Sequence, residues 1–142
     1  MDPNGFDLAL EKLHLAAIRF VNGDTGPWKV MCSHRDDVTI LGGWGAYERG
    51  WESVEKRYDW ASARYKGGQI RFENIARFSS DELGYSIDIE HQEARLANSE
   101  QTIPVVLRVT SILRREEGQW KLVHRHADSV TSVQGVDSVI KS

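Results

Sequence analysis

The sequence predicts an α+β fold in which three helices precede a meander of long antiparallel strands. Three observations predict it. Up to Tyr65 the apolar residues recur at the 3.6-residue spacing of amphipathic helices. Beyond Gly67-Gly68 the spacing switches to two and stays there. Turn residues then divide the second half at Ser79–Glu82, around Ser99 and at Glu116-Glu117-Gly118. A chain of 142 residues is long enough for one domain with a real core and too short for two, so residues 1–142 are expected to form a single domain.

Each element follows from local chemistry. Phe6, Leu10, Leu13, Ala17 and Phe20 make the apolar stripe of a first helix, with Asp2 ahead of Pro3 as a cap and Asn22-Gly23-Asp24 as a stop. Pro27 opens a short second helix whose Trp28, Met31 and Cys32 face inward. His34-Arg35-Asp36-Asp37 is a polar turn and Val38-Thr39-Ile40-Leu41 a short strand. Gly42-Gly43-Trp44-Gly45 reads as a flexible loop carrying a large aromatic side chain. Trp51, Val54, Tyr58, Ala61 and Tyr65 share one stripe of a third helix, which Gly67-Gly68 ends. Strands are expected at 69–79, 83–96, 103–116 and 119–130, and the polar tail beyond Thr131 receives no assignment.

Composition excludes several classes. Hydrophobic residues at 40% and charged residues at 27% are an ordinary globular balance, and no segment approaches a membrane span. A net charge of −3 leaves no excess of Lys and Arg to neutralise phosphates, so neither nucleic acid nor membrane is an expected partner. The single cysteine, Cys32, forms no internal disulfide and reads as an inert buried thiol. With an acidic start and no apolar leader, the expectation is a cytoplasmic protein.

The stretch "Q-W-K-L-V-H-R-H-A-D", residues 119–128, places Trp120, Leu122, His124 and His126 on one face of a strand. A turn at Ser99 and a three-residue loop at 116–118 set two rows on that face: Glu90–Arg108–His126 and Asp88–Thr110–His124. A slip of one residue at either turn would scramble both rows. The rows read either as a structural network or as the polar floor of a pocket. In the pocket reading Arg108 clamps an oxygen, Glu90 or Asp88 serves as base, and His126 carries the proton, which makes these four the candidate catalytic residues. Thr110 and His124 join Trp44, Tyr47, Trp51 and Tyr58 as candidate ligand contacts, with the aromatic residues forming a wall or lid. His14 and His34 read as solvated. A metal is not expected, because the His-x-His pair lacks a second pair and Arg108 would repel a cation. No cofactor is expected either.

The ending "L-R-V-T-S-I-L-R-R-E-E-G-Q-W-K-L-V-H-R-H-A-D", with "D-D-V-T-I-L-G-G-W-G" and "G-Y-S-I-D-I-E-H" before it, resembles the SnoaL-like, ketosteroid-isomerase-like branch of the nuclear transport factor 2-like superfamily. The likeness runs from about Phe6 to Val130. It implies a cone-shaped, cystatin-like fold, three N-terminal helices on a strongly curved antiparallel sheet around an apolar cavity, and homodimerisation through the convex sheet face. The association domain of calcium/calmodulin-dependent kinase is similar at its end, and the resemblance matches one of its cone-lining arginines to Arg108. The ketosteroid-isomerase machinery of an Asp base and a Tyr donor is not matched: Gly42 and Ala16 stand at those places. The resemblance therefore implies a domain that binds a small apolar carbonyl or carboxylate compound, with isomerisation, dehydration or cyclisation as its chemistry if it is an enzyme. A non-catalytic binding or assembly domain is the alternative.

Overall fold

Asp2 fixes where the first helix begins. Its carboxylate accepts hydrogen bonds from the backbone N–H groups of Asp7 and Leu8, both at 3.0 Å, so two donors that the first turn leaves orphaned are satisfied. The helix, α1, runs Phe6–Val21. The computed structural model describes residues 2–141. Pro27 sits in the first turn of α2 (Gly26–Met31), as its fixed φ and missing N–H favour.

The glycine-rich stretch expected to be a loop is instead the bend of a hairpin between β1 (Thr39–Gly42) and β2 (Gly45–Arg49), with Gly42 paired to Gly45. Positive φ at Gly45 and Ala46 lets the chain reverse there. The third helix, α3, spans Trp51–Ser62 and stops three residues short of Tyr65. The Ser62 hydroxyl donates to the Phe20 carbonyl at 2.7 Å, and the Asn22 amide clips both backbone groups of Gly68. Gly67-Gly68 does not end a helix; it lies inside β3 (Tyr65–Ser79), where a Cβ at Gly68 would come within 2.9 Å of the Glu93 carbonyl oxygen.

Three long strands follow: β4 (Leu83–Leu96), β5 (Thr102–Glu116) and β6 (Gln119–Asp128). The six strands form one curved, unclosed sheet in the order β2-β1-β6-β5-β4-β3, with the helices packed against it. Every pairing is antiparallel except that of β1 with β6.

The registers differ from those the turns suggest. Glu90 pairs with Leu107, one residue away from the expected Arg108. That choice turns Leu107, Val109 and Leu113 inward, where all three are buried, and leaves Arg108 outside. Burying a Leu or Val is worth about 1.5–3 kcal/mol, so the aliphatic face of β5 decides the register. Between β5 and β6 the loop has two residues, Glu117 and Gly118, both at positive φ, as a tight primed hairpin turn requires. A bulge at Val123 then reverses the parity of β6. Trp120 and Leu122 face inward before it, Arg125 and Ala127 after it.

The main core joins Phe6, Leu10 and Leu13 of α1 to Trp28, Cys32, Val54, Leu113, Trp120 and Leu122. Burial pushes the Cys32 thiol up to about 12, in keeping with an inert side chain. Phe6 meets Trp120 edge to face at 5.1 Å, directly over Gly84, where a Cβ would lie 2.5 Å from the Phe6 ring. Gly84→Ala is therefore expected to cost about 1–3 kcal/mol in urea denaturation, the range for overpacking a filled core. Gly135→Ala, which meets open space, is the matched control and should leave the midpoint unchanged.

Candidate functional site

The inner face of β4 is polar from Ser86 to Gln92. Ser86, Asp88, Glu90 and Gln92 are all buried there, and buried polar groups persist only when their hydrogen bonds are made. Each finds a partner on a different element. Glu90 receives Arg125 from β6, with Nη1 on Oε2 at 2.9 Å and Nη2 on Oε1 at 3.2 Å. Gln92 accepts from the Tyr65 hydroxyl at 3.0 Å. Asp88 accepts from Asn74 of β3 at 2.8 Å and from Ser86 at 3.0 Å, and His14 of α1 lies 3.6 Å away.

These contacts set the electrostatics. Burial opposes ionisation of Asp88, but hydrogen bonds from His14, Asn74 and Ser86 outweigh it and hold the carboxyl below the usual carboxylate range. Burial likewise opposes the Arg125 charge, and the Glu90 carboxylate with the two nearby tyrosines more than offsets it, so the guanidinium stays protonated. Burial also pushes the Tyr58 and Tyr65 hydroxyls up.

Arg125 and Tyr58 stand between two hollows. The larger, of about 300 Å³, is walled by Phe20, Ile40, Val105 and Leu107, with Trp44, Trp60 and Tyr65 around its open side. The smaller, of about 50 Å³, lies behind Arg125 and is bounded by Trp28, Glu90 and Gln92. Trp44 makes edge contacts with both Trp60 and Tyr65 at 5.7 Å, so the hairpin aromatic packs across the rim. Gly42 and Gly43 pass along the wall without a side chain. Arg57, also in the wall, is held by Glu48 at 2.7 Å.

The structure divides the residues named from sequence. Glu90 and Asp88 face inward as expected. Arg108 and His126 do not: both lie on the outer face, where Arg108 makes a two-pronged ion pair with Asp128 at 2.7 and 2.8 Å and His126 stands 3.7 Å from the same carboxylate. Thr110 is paired with His126 on that face, and His124 bonds the Thr39 hydroxyl at 2.8 Å, outside the cavity. Burial, then the neighbouring His126, pushes the His124 imidazole below its ordinary value. The register slip and the Val123 bulge are the physical cause of all four displacements.

Of the aromatic candidates, Trp44 and Tyr58 line the cavity. Tyr47 points to solvent on β2, and Trp51 stacks on His34 at 4.1 Å, away from the opening. His34 and His14 are not simply solvated, since His14 stacks on Phe72 at 3.9 Å. Arg125, Trp28, Trp60 and Tyr65 were not expected at the site. Ala127 held the available clue: a small apolar residue on the face assigned to Lys121 and Val123 signals a change of parity after Leu122.

A family model described as a SnoaL-like domain matches residues 15–131. The chain belongs to the SnoaL-like family. Solved structures share the fold of this SnoaL-like chain at low identity. A nuclear transport factor 2-like superfamily protein from Salmonella enterica matches with a TM-score of 0.78 at 15% identity, over 95% of this chain and 94% of the other. A candidate dehydratase of the same family from Streptomyces avermitilis gives 0.77 at 17% identity, covering 92% and 97%. A ketosteroid isomerase-like protein from Erwinia carotovora gives 0.74 at 13% identity, covering 89% and 94%. A search of curated proteins finds no match.

Two expectations separate this site from the one read off the sequence. Arg125→Met leaves Glu90 buried without its counter-charge and should cost about 3–5 kcal/mol in denaturant unfolding, the usual loss when half of a buried pair is removed. Arg108→Met removes an exposed pair and should shift the midpoint far less. For Asp88 the native pKa lies below the unfolded value, so between the two the unfolded chain binds more protons and stability falls as pH drops. The stability difference between the parent and Asp88→Asn should accordingly narrow as pH falls from about 5 through the acid range, measured by urea titration at each pH.

Proposed function

We propose that this SnoaL-like domain binds a small, largely apolar oxygen-bearing ligand in the cavity and moves a proton next to a carbonyl, as in isomerisation, dehydration or cyclisation. The observation that carries the reading is the buried Glu90–Arg125 pair at the inner end of a mostly apolar hollow. Arg125 presents donors to charge developing on a ligand oxygen, and water exclusion strengthens that interaction. Glu90, in the recess behind, is the carboxylate within reach of a proton acceptor's role. The neighbour named as a candidate dehydratase fits the same chemistry.

A second reading has its own support. Apart from Glu90 in the recess, the residues bounding the two hollows include no carboxylate and no imidazole. A non-catalytic binder would look like this. Deuterium exchange separates the two. With cyclic ketones in D₂O, the parent should stabilise thermally and catalyse exchange of protons adjacent to the carbonyl, whereas Glu90→Gln should keep the thermal shift and lose the exchange. Stabilisation without exchange by the parent supports the binder; neither effect refutes both.

We also propose that the outer face pairs two copies. Phe78, Tyr85 and Ile87 are exposed together there, and an apolar patch is complementary to its own twofold copy. Light scattering should give the mass of two chains for the parent and one chain for Phe78→Asp; a monomeric parent rejects the pairing.

A further inference from the structure

Gly42 and Gly43 have no backbone reason to be glycine. Half of the glycines in the chain sit at positive φ, and at Gly68 and Gly84 a Cβ would run into backbone or ring atoms. Neither explanation holds for this pair. The β1–β2 reversal takes its positive φ further on, at Gly45 and Ala46. Beyond its chain neighbours, a Cβ at Gly42 would meet nothing within 4 Å. One at Gly43 would touch only the Leu107 methyls, at 3.5 and 3.8 Å, which is ordinary contact. Side chains would therefore fit at both places, and glycine in a strand weakens it by giving up packing and chain entropy.

What the two glycines leave is room, and the strand pairing places it. Both residues line the larger cavity. On β1, Ile40 pairs with Arg125 and faces the cavity, while Thr39 and Leu41 pair with the outward His124 and His126. Alternation puts Gly42 on the same inward face as Ile40. Gly43 abuts Leu107, which with Val105 forms the aliphatic part of that wall. The two cations of the wall, Arg57 and Arg125, are already engaged by Glu48 and Glu90. The vacant space therefore suits hydrocarbon, and a glycine within a strand often marks where a ligand approaches the backbone closely. Resting on the ligand-binding reading above, we infer that the bare backbone of Gly42 and Gly43, with Val105 and Leu107, forms a subsite for a hydrocarbon portion of the ligand. The two glycines thereby determine specificity: they set the largest ligand that the cavity accepts.

Cyclohexanone and 2-decalone test this directly, since they carry the same ketone and differ by one fused saturated ring. The indole N–H signals of Trp44 and Trp60 in nitrogen–proton NMR spectra report binding at the cavity mouth. The parent should bind 2-decalone at least about tenfold more tightly than cyclohexanone. Gly42→Val and Gly43→Leu should each weaken 2-decalone about tenfold or more and leave cyclohexanone within about twofold, because an added side chain excludes only the larger ligand. Gly42→Ala should act in the same direction with a smaller loss. Because a Cβ at Gly42 meets no clash and no positive φ, Gly42→Ala should melt no lower than the parent, so it carries the test even if a bulkier variant misfolds. Three outcomes overturn the inference and leave the ligand-binding reading standing: no preference for 2-decalone in the parent, 2-decalone affinity unchanged in the folded variants, or equal weakening of both ketones. No shift of either indole with either ketone in the parent overturns both.

Discussion

The Glu90 carboxylate and the Arg125 guanidinium meet across β5, one contributed by β4 and the other by β6, inside the curve of the sheet. Neither charge is stable there alone, because the effective penalty for burying an ion runs to several kcal/mol. The pair therefore ties the registers of three strands together. A one-residue slip on β4 or β6 would carry one partner to the outer face and abandon the other inside. Hydrophobic burial of Leu107, Val109 and Leu113 favours the same registers from β5, so apolar and polar requirements agree.

That agreement explains how a strand as polar as β4 can line a core. Ser86, Asp88, Glu90 and Gln92 would be a liability as isolated residues, yet together they meet α1 through His14, β3 through Asn74 and Tyr65, and β6 through Arg125. The apolar core of the helices fills one part of the sheet's inner face, and the cavity opens where the aromatic rim takes over. Structure and site thus share one set of residues: the contact that fixes register also places a charged donor against a hollow.

Much of the fold was legible in the sequence because its signals are local. The Phe6–Phe20 stripe, the cap at Asp2, the change of period after Tyr65 and three of the four long-strand starts depend on neighbours in the chain. The motif resemblance led to the family, which the domain match establishes. The site was half legible. Glu90 and Asp88 were placed on one face by strand alternation, Tyr58 by the stripe of the third helix and Trp44 by its glycine-rich stretch, whereas Arg108 and His126 were assigned by counting across turns. That count failed because β4 and β5 pair one residue out of the register the Ser99 turn suggested, which leaves Arg108 outside, and because the Val123 bulge turns His124 and His126 to the face opposite Trp120 and Leu122. Both are decided by packing between strands. The β1–β2 hairpin was missed for a related reason: glycines that mark a loop also permit a tight reversal between short strands.

The central claim is that Glu90 and Arg125 act as one unit. A double-mutant cycle of Glu90→Gln, Arg125→Met and their combination, followed by urea denaturation, measures it. If the pair is a unit, each single substitution should be costly and the double should lose less than their sum, with a coupling of about 2 kcal/mol or more. Strictly additive losses would mean that the two side chains are neighbours without being partners, and the account of the sheet and its cavity would not stand.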